Sequence, residues 1–72
     1  MEKLEFNYNR LKAERVARGL KVKDLADELE ISVFAYYKKE SGKTAITVKD
    51  LSIISSKLGI KDLNIFFDLK VS

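Results

Sequence analysis

Only Glu30 and Ile31 separate a short amphipathic stretch, Val22 to Leu29, from Ser32, a hydroxyl residue suited to capping a following helix. Within that stretch Leu25, Ala26 and Leu29 make one apolar stripe at helical spacing. Two helices of about two turns, joined this tightly, cannot lie antiparallel. They cross at a steep angle and leave a shared apolar side that other elements must cover.

The remaining segments read as those elements. A first helix is expected over Tyr8 to Arg18, capped by Asn7 or Asn9 and stopped by Gly19. The third runs from Ser32 to about Lys39. A fourth starts at Thr47, where T-V-K-D sets an acid three positions after the cap. Val48, Leu51, Ile54 and Leu58 follow at helical spacing, and Gly59 ends it. Asp62 to Phe67 is expected as a short fifth helix. Proline is absent and glycine occurs only three times in 72 residues, which favours helices over a turn-rich sheet. The expected fold is therefore all-α, a compact five-helix bundle forming one domain over 1–72, with a core at 8–67 and a C-terminal tail at 68–72.

A chain of this size is near the lower limit for one self-sufficient core. It has no cysteine for disulfides and no histidine, so a metal staple has no plausible ligand set. Helix packing, helped by a partner subunit, is the remaining source of stability. The missing His and Cys also remove the commonest nucleophiles and proton-transfer groups, and the three glycines are isolated helix stops. Acid pairs such as Asp27 with Glu28, or Glu40 with Asp50, read as solvated faces. The chain is not expected to be an enzyme, to need a cofactor or to hold a small-molecule ligand. No apolar run approaches the roughly 20 residues of a membrane span, and the N-terminus is unlike a signal peptide, so a cytoplasmic protein is expected.

Charge is unevenly placed along the chain. Residues 8–23 hold Arg10, Lys12, Arg15, Arg18, Lys21 and Lys23 against the single acid Glu14. Residues 24–30 hold Asp24, Asp27, Glu28 and Glu30 with no base, and Lys38, Lys39, Lys43, Lys49 and Lys57 follow. Two basic blocks around an acidic one imply a side that faces a polyanion.

The facing of the third helix follows from the turn before it. Ile31 should point inward with Leu25, Ala26 and Leu29, and close crossing of two helices needs a small residue, supplied by Ala35. Tyr36 then fills the core beside Ala35. Lys39 on that side is expected to lay its stem along the core edge with the ammonium in water. Val33, Phe34, Tyr37 and Lys38 share an arc of about 140° on the other side and point outward. Two exposed aromatics and a valine on one short helix imply a contact surface.

The stretches L-K-A-E-R-V-A-R-G-L (11–20), D-L-A-D-E-L-E-I-S (24–32), E-S-G-K (40–43) and L-S-I-I-S-S-K-L-G-I (51–60) resemble the lambda-repressor-type (Cro/CI or XRE) helix-turn-helix family. A-Y-Y-K-K-E-S-G-K, with D-L-N-I-F-F downstream, looks most like the small phage and prophage regulators of Gram-positive bacteria. The resemblance implies a DNA-binding transcriptional regulator, with Ser32 to Lys39 as the recognition helix in the major groove. Val33, Phe34, Tyr37 and Lys38 fall on positions that face bases and phosphates. Ser32, Ser41 and Lys43 fall near phosphates. Arg15 and Glu40 match a structural ion pair between helix one and the end of helix three.

Two positions depart from the family pattern. A phosphate-touching Gln is replaced by Val22, with Lys21 and Lys23 beside it as the phosphate-directed groups. The tight-turn Gly is replaced by Glu30, which must adopt a left-handed conformation at a cost of about 1 kcal/mol. Val33 and Phe34 cannot make forked hydrogen bonds to bases, so sequence preference is expected to lean on thymine methyl groups and DNA deformability.

Double-stranded DNA is thus the expected partner, read by a homodimer over two half-sites. The expected dimer seam is drawn from Leu63, Phe66 and Phe67, with Leu63 or Phe66 capping the domain's own core, or else both phenylalanines complete that core. The alternative is a protein-interaction helix-turn-helix, an anti-repressor or co-regulator, that turns the same apolar face on a protein. The basic rim of Lys38, Lys39, Lys43 and Lys49 favours DNA.

Overall fold

Each helix starts where the sequence supplies a cap. In the computed structural model, which describes residues 2–71, α1 (Tyr8–Ala17) follows Asn7, whose Oδ1 accepts the Arg10 N–H at 2.9 Å. Ser32 caps α3 (Val33–Glu40) by accepting the Ala35 N–H at 3.0 Å. Thr47 and Asp50 form a reciprocal capping box at the start of α4 (Val48–Leu58), and Gly59 ends that helix in the left-handed region. The helix before the tight turn, α2 (Val22–Leu29), has half of such a box: the Lys21 N–H donates to Asp24 at 2.7 Å.

The turn between α2 and α3 is made by Glu30 at φ 58°, ψ 42°, the left-handed conformation expected there. The Glu30 and Ile31 N–H groups close back on the carbonyls of Asp27 and Ala26. Ile31 and Ala35 are half-buried and Tyr36 is fully buried, so α3 turns the expected side to the core. Leu11, Leu25, Ala26, Tyr36, Ile54 and Phe66 make the centre of that core, with Val22, Leu51 and Leu58 around it. Val22 is thus a core residue, although the resemblance sets it at a phosphate-touching position.

The expected fifth helix does not form. Leu63–Phe66 is a single 3₁₀ turn opened by Asp62, and Phe67–Val71 continues as a strand, β2, antiparallel to an N-terminal strand, β1 (Glu2–Phe6). The architecture is four α-helices with a two-stranded sheet made from the two ends of the chain, not five helices. Residues 68–71 of the expected tail are therefore paired strand, while Ser72 lies outside the described residues. The physical reason lies in the pattern: F-D-L-K-V (67–71) and K-L-E-F (3–6) alternate apolar and charged, a period of two that suits a ladder. Asn7 locks the join, donating its N–H to the Phe66 carbonyl and its side-chain amide to Asp68 at 3.1 Å. Phe6 stacks on Phe66 at 5.7 Å between ring centroids and meets Phe67 edge-on at 5.5 Å, tying the root of the sheet to the core.

Candidate nucleic-acid interface

Val33, Phe34 and Tyr37 lie on the outer side of α3 at 41, 69 and 55 % exposure, against 0 % for Tyr36. The Lys38 ammonium sits 4.6 Å from the Phe34 ring centroid, a cation–π contact that keeps the charge at the surface and beside the aromatic. Phe34, Tyr37, Lys38, Ser41 and Lys43 line a shallow hollow of about 230 Å³. A second hollow, of about 350 Å³, adjoins it and is lined by Tyr8, Asn9, Lys12, Tyr37, Glu40 and Ser41. Tyr37 and Ser41 belong to both, so one surface runs from Lys12 on α1 to Lys43 beyond α3.

Ion pairing decides which of the basic residues can act outward. Glu14 is held between Arg10 and Arg18, each at 2.7 Å, and these hydrogen bonds, Arg18's first, lower its pKa. Arg18 also donates to the Leu58 carbonyl, closing the end of α4. Lys23 pairs with Asp27 at 2.8 Å, Lys39 with Asp50 at 2.7 Å and Lys57 with Glu28 at 3.3 Å. Among the described residues, Lys12, Lys21, Lys38, Lys43 and Lys49 make no ion pair, and three of them line the two hollows. The basic block at 8–23 is mostly consumed internally. Of the lysines without an ion pair, Lys12, Lys38 and Lys43 stand around the outer side of α3, while Lys3, Lys61 and Lys70 are unpaired elsewhere, in the sheet and the loop before the 3₁₀ turn.

Arg15 and Glu40 form the buried pair that the resemblance implies. Arg15 Nε and Nη2 reach the two Glu40 oxygens at 2.9 and 3.0 Å, and Nη1 donates to the Leu20 carbonyl at 2.9 Å. The hydrogen bonding to Glu40 raises the Arg15 pKa against the opposing effect of burial. This fork joins α1 to the last turn of α3 and thereby sets the angle at which the exposed face is presented.

Several expected groups are already occupied. Ser41 donates its hydroxyl to the Lys38 carbonyl at 3.1 Å, and the same carbonyl accepts the N–H groups of Lys43 and Thr44. The Ser41 N–H goes to the Tyr37 carbonyl. What the loop after α3 offers outward is therefore the Lys43 ammonium rather than backbone N–H groups. Ser32 uses its oxygen as a cap acceptor, leaving its hydroxyl hydrogen for an anion. The Lys39 ammonium, expected in water, instead bonds Asp50 and the Ala45 carbonyl at 3.1 Å and is out of the interface.

Among the expected seam residues, Phe66 is fully buried in the core of its own domain and cannot form an intermolecular surface. Leu63 and Phe67 remain 37 % exposed. Lys12 and Asn9 were not singled out by the sequence reading of the interface. The signal was present in the basic block containing Lys12, but only the packing of α1 against α3 brings it beside Tyr37.

A family model described as helix-turn-helix matches residues 11–65, which spans α1 to the 3₁₀ turn with α2 and α3 at its centre. The chain belongs to the Cro/CI-type helix-turn-helix family. That membership makes it a domain of the DNA-binding regulator kind. Neither curated proteins nor solved structures give a match to this helix-turn-helix chain. No helix among the described residues is long and apolar enough to cross a membrane.

Proposed function

We propose that this helix-turn-helix protein is a sequence-specific DNA-binding repressor of the small phage or prophage kind. In this reading α3 enters the major groove. The observation that carries it is the gathering of unpaired Lys12, Lys38 and Lys43 around the exposed Phe34 and Tyr37, while the other cations near α3 are paired inward. Lys38, Lys43 and Lys21 would meet phosphates, and the Ser32 hydroxyl would donate to one. Lys23 would join them only by leaving Asp27, an exposed pair worth little. Val33 and Phe34 would lie against thymine methyl groups, with Tyr37 bonding a base edge or a phosphate. A homodimer would read two half-sites about 34–36 Å apart.

A fluorescence-anisotropy titration of the protein against random duplex, at low and at physiological salt, tests this. Phosphate contacts predict an affinity that falls steeply with salt through counterion release, and selection from random sequence then yields an operator. The exposed Val33–Phe34–Tyr37 cluster favours a second reading, in which the same face binds a protein. Absence of duplex binding at low salt would sink the DNA reading in favour of that one.

A further inference from the structure

The first turn of α3 carries almost nothing that can hydrogen-bond to a base. Ser32 spends its oxygen on the Ala35 N–H, Ala35 is half-buried and Tyr36 is fully buried. Beyond the cap, Val33 and Phe34 are the side chains that this turn exposes. Neither has a donor or an acceptor. A surface that met only phosphates would gain nothing from them, since phosphates are held by cations, hydroxyls and N–H groups.

Phe34 is also held in place. The Lys38 ammonium, one turn further along the helix, lies over its ring at 4.6 Å from the centroid. Lys43 stands with them at the rim of the same hollow. The result is an apolar pair fringed by cations, suited to an apolar group lying between two phosphate backbones. In the major groove one chemical group answers that description. Base edges there present donors and acceptors, and the C5-methyl of thymine is the apolar exception.

We propose that Val33 and Phe34 form a reader of pyrimidine C5-methyl groups, one that accepts 5-methylcytosine in place of thymine. Methylation of cytosine at C5 puts the same methyl at the same point of the groove and leaves the pairing with guanine unchanged. Two side chains without hydrogen-bonding groups register that methyl and take no part in the donor and acceptor code beside it. Cytosine methylation within the bound site therefore strengthens binding. A reader forked onto base-edge donors and acceptors would gain nothing from the added methyl. This inference rests on the DNA reading above and deepens it by naming the group that is read.

Anisotropy titrations of the full chain on a duplex enriched by selection test this, one methyl at a time. Deoxyuridine in place of thymine removes a methyl and keeps the pairing; 5-methyldeoxycytidine in place of deoxycytidine adds one. At the positions under α3 each removal should weaken binding about fourfold, the worth of burying one methyl-sized group. A C·G pair placed at such a position should bind more weakly than T·A, and its C5-methylated form should regain about fourfold. The double variant V33A/F34A should bind methylated and unmethylated duplexes alike. Both residues are exposed, so its fold should survive, which a thermal melt checks. Tyr37→Phe should keep the methyl preference. A selection that enriches no sequence, an enriched duplex in which no methyl matters, or a V33A/F34A chain that keeps the full preference would each overturn the proposal. In all three cases steep salt dependence would leave the DNA reading standing. A chain that binds no duplex at low salt would remove both.

Discussion

The Lys39 ammonium lies 2.7 Å from Asp50 Oδ2, the same oxygen that accepts the Thr47 N–H at 3.0 Å. One carboxylate therefore caps α4 and anchors the last turn of α3 across the loop between them. Burial opposes its ionisation, but the hydrogen bonds from Lys39 and Thr47 outweigh that and hold the Asp50 pKa below its usual value.

Asp50→Asn keeps a cap acceptor but loses the negative charge that faces the Lys39 ammonium, and should cost about 1–2 kcal/mol at neutral pH. A depressed carboxylate stabilises the fold above its unfolded pKa of about 3.9, and that contribution disappears as pH falls below it. Thermal melts of wild type and Asp50→Asn should accordingly differ at pH 7 and converge under strong acid. A constant difference across that range would mean that the charge is immaterial.

Tyr36 and Tyr37, adjacent in sequence, should respond oppositely. Tyr36→Ala empties a fully buried site and should cost about 3–5 kcal/mol. The Tyr36 hydroxyl is buried without a hydrogen-bond partner, and burial first, then the Glu40 carboxylate, raises its pKa. Tyr36→Phe should therefore be neutral or stabilising. Tyr37→Ala and Lys38→Ala should stay within about 0.5 kcal/mol of wild type in stability while weakening duplex binding. An unchanged melt for Tyr36→Ala with a collapsed one for Tyr37→Ala would reverse the facing of α3.

Glu40→Ala would strand a buried guanidinium held by three hydrogen bonds, two of them to that residue. The expected loss is about 3–5 kcal/mol, enough to unfold much of a domain this small. Urea denaturation measures it. Replacing both Arg15 and Glu40 with apolar residues should cost less than the single change, because no charge is then left alone.

Glu30 occupies a left-handed conformation that glycine adopts without a Cβ penalty. Glu30→Gly should raise stability by about 0.5–1 kcal/mol, read as a higher melting temperature with duplex affinity unchanged or improved. A loss of stability would mean that the Glu30 side chain has a partner in solution.

Local chemistry made much of this protein legible from its sequence. Asn7, Ser32, Thr47 with Asp50, and Gly59 mark helix ends because a cap acts on N–H and C=O groups within a few residues of itself. The facing of α3 was equally legible, since Ile31 and Ala35 settle which side can approach α2. Tertiary structure alone decided the rest. The segments 3–6 and 67–71 each alternate apolar and charged residues, yet a strand closes its hydrogen bonds only on a partner. That partner lies at the far end of the chain, so Asp62–Phe67 alone suggests a helix where the structure has a 3₁₀ turn leading into a strand. Which lysines remain free was likewise invisible, because Lys39 and Lys57 find their carboxylates on neighbouring helices. Caps and stripes are written within a turn of helix; ladders, ion pairs and a shared binding face exist only once distant residues are brought within a few ångströms of one another.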